Sequence, residues 1–398
     1  RLPPRLRAGP PARGLTGETV LIAAFSARAL AASARRAGYR PLIVDCFGDI
    51  DTVALAEAAI CLPARVQVGF TPRPLFAALE ELTAKAPSPP IGLVLGAGFE
   101  CNPRLVHRLG ERFRLIGNDA ETIRRTKDPV HLFKVLDDLG VPHPATQIDA
   151  PASTDGWLMK RIGGSGGLHI HVCPQKPRPD KRRYFQRRIE GEPISLLGLV
   201  SEKSAAFAVS RQWTSPLPRR PFRYGGAAGS LLLDADLEAR MIEMSLAVSE
   251  ALSLSGIVSF DYLVHEGEPS LTEVNPRPGA SLDVFDDVSG TLFKAHVEAA
   301  QGGDPAAILS EGWHPPIARA VSVLYADRGP LDAGTIAWPE WAADRPQPGT
   351  TIGRGQPLAT VMAEGDDLDT VQAACAQRLG ELDALLYDNS NEEEGAHR

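Results

Sequence analysis

Several marks of specialised protein classes are missing from this chain of 398 residues. No apolar run approaches the ~20 residues that a membrane-spanning helix needs. The basic, proline-rich segment 1–18 has no apolar core of the kind that secretory signals carry, and we expect a disordered lead-in there. Aromatic residues make up 6% of the chain without a basic stripe among them, and the net charge is −7. The composition therefore disfavours membrane and nucleic-acid partners.

Cysteine is also scarce, with five residues that lie far apart in the sequence and form no CxxC pair. Such a set makes neither a disulfide framework nor a zinc site, which favours a reducing, cytoplasmic location. Most of the basic charge is arginine, and the chain contains only eight lysines. A lysine in a strand or beside a run of glycines is therefore a candidate functional residue.

Short buried-strand patterns alternate with helical patterns from residue 19 to residue 118. This alternation predicts an α/β domain with a parallel sheet. Strands and helices are grouped apart over 119–313, which predicts an α+β domain. That domain begins with two short helices broken near Pro129, and its short strands cluster at about 145–213.

Composition predicts the remaining segments. Residues 215–230 are rich in proline, glycine and arginine, and we expect a loop there. Residues 314–390 show alternating strand patterns and a final helical pattern, which indicate a small C-terminal domain. We expect residues 391–398 to be a solvated tail.

The segment FDYLVHEGEPSLTEVNPR, residues 260–277, carries the strongest chemical signal. A turn centred on Gly267 places Asp261 opposite Glu273, because each lies six residues from the turn, and Asn275 shares the face of Glu273. Two carboxylates and an amide then crowd one patch, which favours a bound Mg²⁺ ion. Arg277 follows, in position to contact a phosphate or a carboxylate. The alternative is a solvated acidic hairpin.

A second signal is WLMKRIGGSGGLHI, where a strand that carries Lys160 runs into the glycine-rich segment 163–167. Backbone N–H groups of successive glycines approach phosphate oxygens closely, and Lys160 adds a positive charge. The segment is not a Walker A loop, because the lysine precedes the glycines and strands flank them. It fits a lid that closes over a nucleotide, and the alternative is a flexible hairpin turn.

Two further segments are candidates on weaker grounds. Lys127 lies in RRTKDP, where the alternative is a surface lysine on a helix. In YFQRRIEGEPIS, residues 184–195, a strand ends at Ile189 beside Gln186 and offers backbone groups to an adenine edge.

Two other patterns are set aside. LGAGFEC carries Cys101 where a dinucleotide-binding fingerprint requires its third small residue, so an oxidoreductase is a weak alternative. His169 and His171 lack an acid or cysteine at useful spacing, and we expect two exposed strand histidines rather than a metal pair.

The ordered set of Lys127, Lys160 with GGSGG, QRRIEGEPIS and GIVSFD…TEVNPR resembles the ATP-grasp superfamily over about residues 119–300. The resemblance implies an ATP-grasp fold of mixed α/β and α+β class, with a Rossmann-like N-terminal domain and a small C-terminal domain. ATP would lie between two α+β subdomains, under a glycine-rich lid at about 145–213. ATP and Mg²⁺, with Mn²⁺ as a substitute, are the implied cofactors.

The resemblance also implies roles for individual residues. Asp261, Glu273 and Asn275 match the metal ligands, although many relatives have glutamate at the position of Asp261. Arg277 and Lys160 match catalytic groups that act on the transferred phosphoryl group. The residues that match ATP contacts are Lys127, Lys160, Gly163, Gly164, Ser165, Gly166, Gly167, Gln186, Arg187, Ile189 and Glu192, the last displaced by one position from some relatives.

ATP-grasp enzymes usually phosphorylate a carboxylate to an acylphosphate, which an amine then attacks. The resemblance therefore implies a ligase with small-molecule carboxylate and amine substrates, similar to glutamate ligases of methanofuran-type cofactor biosynthesis. A bicarbonate-activating carboxylase and a non-catalytic nucleotide-binding protein are the alternatives. The candidate substrate contacts are Ser26, Arg28, Glu100, Ser281 and Asp283. On general grounds we expect a homodimer.

Overall fold

The computed structural model describes residues 17–65, 68–312, 315–316 and 318–396. Its N-terminal part is a five-stranded parallel sheet in the order β3-β2-β1-β4-β5, flanked by helices on both faces. The elements are β1 (Thr19–Ala23), α1 (Arg28–Arg36), β2 (Arg40–Asp45), α2 (Ile50–Leu55), β3 (Ala58–Cys61), α3 (Pro72–Lys85), β4 (Leu93–Leu95), α4 (Pro103–Gly110) and β5 (Leu115–Ile116).

The parallel sheet forms because its strands are continuous apolar runs that must be covered on both faces. All five residues of β1 are buried. At the carboxyl end of β2, Asp45 accepts a hydrogen bond of 2.9 Å from the backbone N–H of Ala27, where α1 begins. This contact fixes the loop after β1, which lines the large cavity described below.

Two short helices connect the N-terminal part to the next layer, as the sequence predicts. They are α5 (Ala120–Lys127) and α6 (Pro129–Leu139). Asp128 separates them in an extended conformation, which is the usual conformation before proline. Its side chain caps α6 through the backbone N–H of Val130. The break leaves Lys127 as the last residue of α5, with its side chain buried.

A four-stranded sheet in the order β6-β9-β7-β8 follows. Its strands are β6 (Thr146–Gln147), β7 (Trp157–Arg161), β8 (Ile170–Val172) and β9 (Arg183–Arg187), and the glycine-rich segment lies between β7 and β8. This lid sheet covers only the first part of the range 145–213, because the next two strands belong to a different sheet.

The central sheet has eight strands in the order β14-β13-β10-β11-β12-β15-β19-β17. The remaining elements are β10 (Glu192–Val200), β11 (Ala205–Thr214), β12 (Tyr224–Gly229), α7 (Ala235–Leu252), β13 (Gly256–His265), β14 (Glu268–Asn275), α8 (Leu282–Phe285), α9 (Thr291–Ala300), α10 (Pro305–Gly312), β15 (Ala318–Tyr325), β16 (Leu331–Asp332), β17 (Ala342–Ala343), β18 (Thr351–Ile352), β19 (Pro357–Gly365) and α11 (Leu368–Ala396).

The loop predicted at 215–230 is wrong for its second half, because β12 is an inner strand of the central sheet. Its small residues YGGAAG fit a crowded position. A Cβ atom on Gly226 would lie 2.2 Å from the carbonyl oxygen of Val321 and 2.4 Å from the ring of Trp213. The glycines that suggest a loop therefore allow close strand packing here.

The C-terminal segment is joined to the central sheet through β15, β17 and β19. The segment predicted as a solvated tail, residues 391–398, is helical as far as Ala396, within α11. Most of the predicted lead-in, residues 1–16, lies outside the described residues. Among the helices in the described parts of the chain, none is both long and apolar enough to cross a membrane. The mixed α/β and α+β class is confirmed.

Candidate active site

One large cavity of about 840 Å³ lies between the N-terminal part, the lid sheet and the central sheet. Residues from the loop after β1, from the glycine-rich segment and from β13, β14 and β19 line it. Most candidate residues named from the sequence meet at this cavity. Those that line it are Ser26, Arg28, Lys160, Ser165, Gly166, Gly167, Gln186, Arg187, Ile189, Asp261, Glu273, Asn275, Arg277, Ser281 and Asp283.

Asp261 and Glu273 face each other across β13 and β14, and a β-bulge aligns them. The turn has two residues, Glu266 and Gly267, both with positive φ (50° and 78°), as in a type I′ hairpin. The two-residue turn alone would pair Asp261 with Thr272. A β-bulge at Thr272 shifts the ladder by one residue, so that Asp261 pairs with Glu273.

The half-buried carboxylate of Asp261 has three polar neighbours. Ser195 donates to its Oδ1 at 2.7 Å, and Gln212 approaches the same oxygen at 3.5 Å. Asn275 donates to Oδ2 at 2.9 Å. Burial and the nearby charge of Glu273 raise the pKa of Asp261, although Ser195 partly opposes the rise. The carboxylate therefore lies where an added cation is stabilising.

Glu273 is paired with Lys127, whose Nζ lies 2.7 Å from Oε1 of Glu273 and 2.8 Å from Oδ1 of Asn275. Burial opposes ionisation of Glu273, but Lys127, His169 and Lys160 outweigh it and lower its pKa to about 2. Glu273 is thus a carboxylate throughout the physiological range. Lys127 lines a smaller pocket behind the main cavity.

Lys160 projects from β7 into the cavity with 4% of its surface exposed. Burial lowers the pKa of its ammonium, while the charges of Glu273 and Asp261 act in the opposite direction. A phosphate that enters the cavity would meet this ammonium beside the two carboxylates.

The glycine-rich segment packs tightly against two other parts of the fold. A Cβ on Gly163 would lie 2.4 Å from the carbonyl oxygen of Glu100, and one on Gly167 would lie 1.6 Å from that of Phe222. The carbonyl oxygen of Gly166 also accepts the backbone N–H of Tyr224 at 3.0 Å. Gly163 and Gly164 line the smaller pocket beside Lys127. The segment is closed over the cavity in this structure.

His169 lies just before β8 and His171 lies within it. The expectation that both are exposed is wrong for His169, which is 6% exposed and lines the cavity. Its Nε2 lies 3.8 Å from Oε2 of Glu273. Burial is the main cause that lowers its pKa to about 4, so the ring is neutral at physiological pH. Strand alternation cannot reveal this burial, because it comes from the turn between Gly167 and Ile170, which precedes β8.

Arg277 is oriented by Glu100, a contact that the sequence does not reveal. Its Nε donates to Oε1 of Glu100 at 2.6 Å, while Oε2 accepts the backbone N–H groups of Gly98 and Phe99. Burial opposes ionisation of Glu100, but Arg277 and Lys127 lower its pKa below the usual range. Glu100 therefore lies behind the main cavity as the partner of Arg277, instead of lining the cavity as a substrate contact.

The connection between the lid sheet and β10 lines another side of the cavity. Gln186 is 2% exposed and, with Ile189, lies on that side. Glu192 is not among the lining residues of the cavity, and its Oε1 accepts a hydrogen bond of 2.6 Å from Arg211. Glu190 lines the cavity two residues earlier. The carboxylate that reaches the cavity from this connection is therefore that of Glu190.

A second group of charged residues in the cavity lining is acidic. Arg28 forms a forked pair with Asp283 (2.6 and 2.5 Å) and a weaker one with Asp344 at 3.2 Å, and Ser26 donates to Asp344. Burial, followed by the charge of Asp344, raises the pKa of the nearby Asp49 well above its usual range. Sequence reasoning missed Asp344 and Asp49, because they come from distant segments that only the fold brings together.

The residues at the Asp261 end fit a magnesium site in their donor chemistry. Mg²⁺ in nucleotide sites is usually bound by a few protein oxygens, while phosphates and water complete its coordination. Two carboxylates and an amide oxygen can provide those protein ligands. In the part of the chain that the structure describes, no three histidine, cysteine or acidic side chains form a metal cluster. Asp261, Glu273 and Asn275 would hold such an ion, which would supply positive charge to this part of the site.

Residues 126–281 match the family model of the ATP-grasp domain. An uncharacterized protein of Methanocaldococcus jannaschii is 22% identical over 293 residues, which cover 70% of each chain. N5-carboxyaminoimidazole ribonucleotide synthetase of Thermotoga maritima has the same fold, with a TM-score of 0.62 and 12% identity over 91% of this chain and 98% of that one.

A second solved structure is the biotin carboxylase domain of Hydrogenobacter thermophilus 2-oxoglutarate carboxylase, in complex with MgADP, ADP and bicarbonate. Its TM-score is 0.64 at 14% identity, covering 88% of this chain and 86% of that one. Both likenesses extend beyond the matched domain to the N-terminal and C-terminal parts. Residues 126–281 therefore match an ATP-grasp domain, within a fold that the two solved structures share over most of their length.

Proposed function

We propose that this protein is an ATP- and Mg²⁺-dependent ligase that activates a carboxylate as an acylphosphate and joins it to an amine. One observation carries the proposal: two charged groups of different composition line a single cavity. The first, which we call the basic end, contains Lys160 and Arg277 beside the Asp261–Glu273 pair, with Lys127 bound to Glu273 from the adjoining smaller pocket. The second, which we call the acidic end, has more carboxylates than arginines.

The basic end suits a triphosphate. Phosphoryl transfer requires mainly positioning and charge neutralisation, which lysine and arginine side chains provide. We assign Lys127 and Lys160 to the phosphates and Arg277 to the transferred phosphoryl group, oriented by Glu100. Asp261, Glu273 and Asn275 would hold Mg²⁺, which supplies further charge neutralisation when bound. The closed glycine-rich segment would exclude water from an acylphosphate, which hydrolyses readily.

The nucleoside would lie along the connection between the lid sheet and β10. Gln186 is buried there, and Arg187 and Ile189 also line the cavity. We assign these residues to the adenine, with backbone groups available at its edge. Glu192 stays a candidate ribose contact that would have to leave Arg211.

The acidic end favours an amine acceptor over an anionic one. Arg28 is the one basic side chain among the described lining residues at that end, and Asp283 and Asp344 already neutralise it. A bicarbonate ion or a phosphorylated acceptor would meet no uncommitted cation among those described residues, whereas an ammonium group would be stabilised by the surplus carboxylates. This charge balance supports amide-bond formation over the carboxylation alternative.

The finer proposal is a glutamate ligase of methanofuran-type cofactor biosynthesis, acting on an aromatic amine. Its support is the acidic end together with the aromatic side chains of Phe47 and Tyr224 in the lining. A cytoplasmic location and a homodimer belong to the same proposal. The five cysteines are all free, as in a reducing compartment.

The test measures ADP release with a panel of amines, glutamate and other amino acids. We expect release that depends on a carboxylate, an amine and Mg²⁺ together. Glu273→Gln should lower it at least about a hundredfold, because it removes a charge beside the reacting phosphate. Glu268→Gln is the matched control on the same strand, exposed at the hairpin end, and should retain full activity.

Three outcomes would contradict the proposal. ADP release stimulated by bicarbonate alone would indicate a carboxylase. Nucleotide binding without turnover across the panel, unchanged in Glu273→Gln, would indicate a non-catalytic protein. Stabilisation against heat by NAD and not by ATP would indicate an oxidoreductase.

A further inference from the structure

Lys127 lies where a metal ion bound to Glu273 and Asn275 would lie. Its ammonium is within 2.8 Å of one oxygen from each of these side chains. Only 6% of the Lys127 side chain and 19% of the Glu273 side chain are exposed, so water screens the contact weakly. Both oxygens face an internal cation in this conformation.

A divalent ion cannot share these oxygens with the ammonium. Mg²⁺ requires ligand oxygens at ~2.0–2.1 Å in nearly regular octahedral geometry. An ammonium on the same two oxygens would then lie a few ångströms from the ion, and repulsion between like charges at that distance is strong in a buried site. Either Lys127 or the metal occupies the pair, and not both.

The side chain of Lys127 has a route out of this position. It is the last residue of α5, and a lysine carries its charge on a flexible four-carbon stem. Lys160 shows that the phosphate side of the cavity already accommodates a second ammonium near the same carboxylates. A triphosphate beside Lys160 would attract Lys127 away from Glu273.

We propose that Lys127 is an exchangeable internal cation that keeps the metal site closed until the nucleotide arrives. This inference rests on the metal and phosphate assignments of the proposed function. The nucleotide phosphates take the ammonium of Lys127, and the divalent ion takes its place on Glu273 and Asn275. Metal and nucleotide therefore bind as a pair, and the nucleotide-free protein binds the metal weakly.

The proposal predicts that removal of the Lys127 ammonium strengthens metal binding. If Lys127 were only a phosphate contact, or only a structural partner of Glu273, its removal would not strengthen metal binding. We expect Lys127→Met to bind Mn²⁺ at least about tenfold more tightly than the unaltered protein when no nucleotide is present. Lys127→Arg retains the charge and should bind Mn²⁺ as weakly as the unaltered protein.

The experiment titrates Mn²⁺ into each full-length protein without nucleotide and follows free Mn²⁺ by electron paramagnetic resonance. Lys134→Met is the matched control, since Lys134 is exposed on α6 and pairs with Asp138. Lys127→Met leaves Glu273 buried without its partner, so the unfolding temperature is measured with and without Mn²⁺. We expect Mn²⁺ to restore the stability that the substitution removes, with no such effect in the control.

Lys127→Gln is the second variant, because its amide still donates to Glu273 and disturbs folding less. Equal or weaker Mn²⁺ binding in folded Lys127→Met and Lys127→Gln would overturn the proposal. The measurement includes no nucleotide and no substrate. If Mn²⁺ binds more tightly to the variants but the unaltered protein shows no ligase activity, the result supports the cation exchange and contradicts the proposed ligase function.

Discussion

Buried ionisable residues in this protein differ in whether they carry a charge at physiological pH. Glu273 keeps its charge because lysines surround it, whereas His169 and His296 lose theirs because burial dominates. His296 joins two sheets: its Nδ1 accepts the backbone N–H of Ile257, and its Nε2 donates to the carbonyl oxygen of Ile116. These two contacts require the neutral ring.

His296 makes one contribution to the pH dependence of stability. Burial lowers its pKa to about 4 from the ordinary value of 6.5, so the unfolded chain takes up the proton first as the pH falls. Its contribution to stability is full above about pH 6.5 and is lost as the pH falls to about 4, by roughly 3 kcal/mol in all. Urea unfolding at several pH values measures this loss.

His296→Gln should reduce the slope of unfolding free energy against pH in that window by up to about 1.4 kcal/mol per pH unit. His107→Gln, at an exposed position on α4, is the matched control. An unaltered slope in His296→Gln would contradict the assignment of a neutral, buried ring.

Some residue-level features could be predicted from the sequence and others could not. The spacing around Gly267 predicts the Asp261–Glu273 pair, but the two-residue turn alone would pair Asp261 with Thr272, and the predicted pair forms because a bulge shifts the ladder. The bulge at Thr272 and the burial of His169 have no local signature, since each depends on packing against segments that are distant in sequence.

Among the structural elements, the glycine-rich segment has the strictest packing. Gly166 and Gly167 both have positive φ, 64° and 71°, and differ in what surrounds them. A Cβ on Gly166 would meet nothing within 4 Å, whereas a Cβ on Gly167 would overlap the carbonyl oxygen of Phe222. The two positions form a matched pair with similar backbone strain and different contacts.

Gly166→Ala and Gly167→Ala should therefore weaken nucleotide binding to different extents. Each introduces about 1 kcal/mol of backbone strain or slightly more. Only Gly167→Ala must displace the segment from Phe222, and we expect its affinity for MgADP to be at least about tenfold lower than that of Gly166→Ala. Calorimetric titration measures both, and equal affinities would show that the closed segment is not needed for binding.

Element prediction succeeded where apolar periodicity decides the structure and failed where small residues do. The strands β7 to β11 and the helices α5 to α7 follow their sequence patterns. The strand β12 was missed because YGGAAG has the composition of a loop, and only its neighbours Trp213 and Val321 give those glycines a packing role.

At the scale of the whole molecule, the site is assembled from three regions of the chain. Arg28 of the N-terminal part binds Asp283 after β14 and Asp344 of the C-terminal segment. The C-terminal strands, which the sequence assigns to a small C-terminal domain, extend the central sheet. Contacts across such sequence distances are invisible to local patterns, and so the acidic end of the cavity could not be predicted.

The most direct test of the central claim is a crystal structure grown with Mn²⁺ and a non-hydrolysable ATP analogue, with anomalous diffraction to locate the metal. We predict a metal peak bound by oxygens of Asp261, Glu273 and Asn275 and by the phosphates, with Lys127 moved onto the nucleotide. A bound analogue with Mn²⁺ elsewhere, and Lys127 still between Glu273 and Asn275, would contradict the claim.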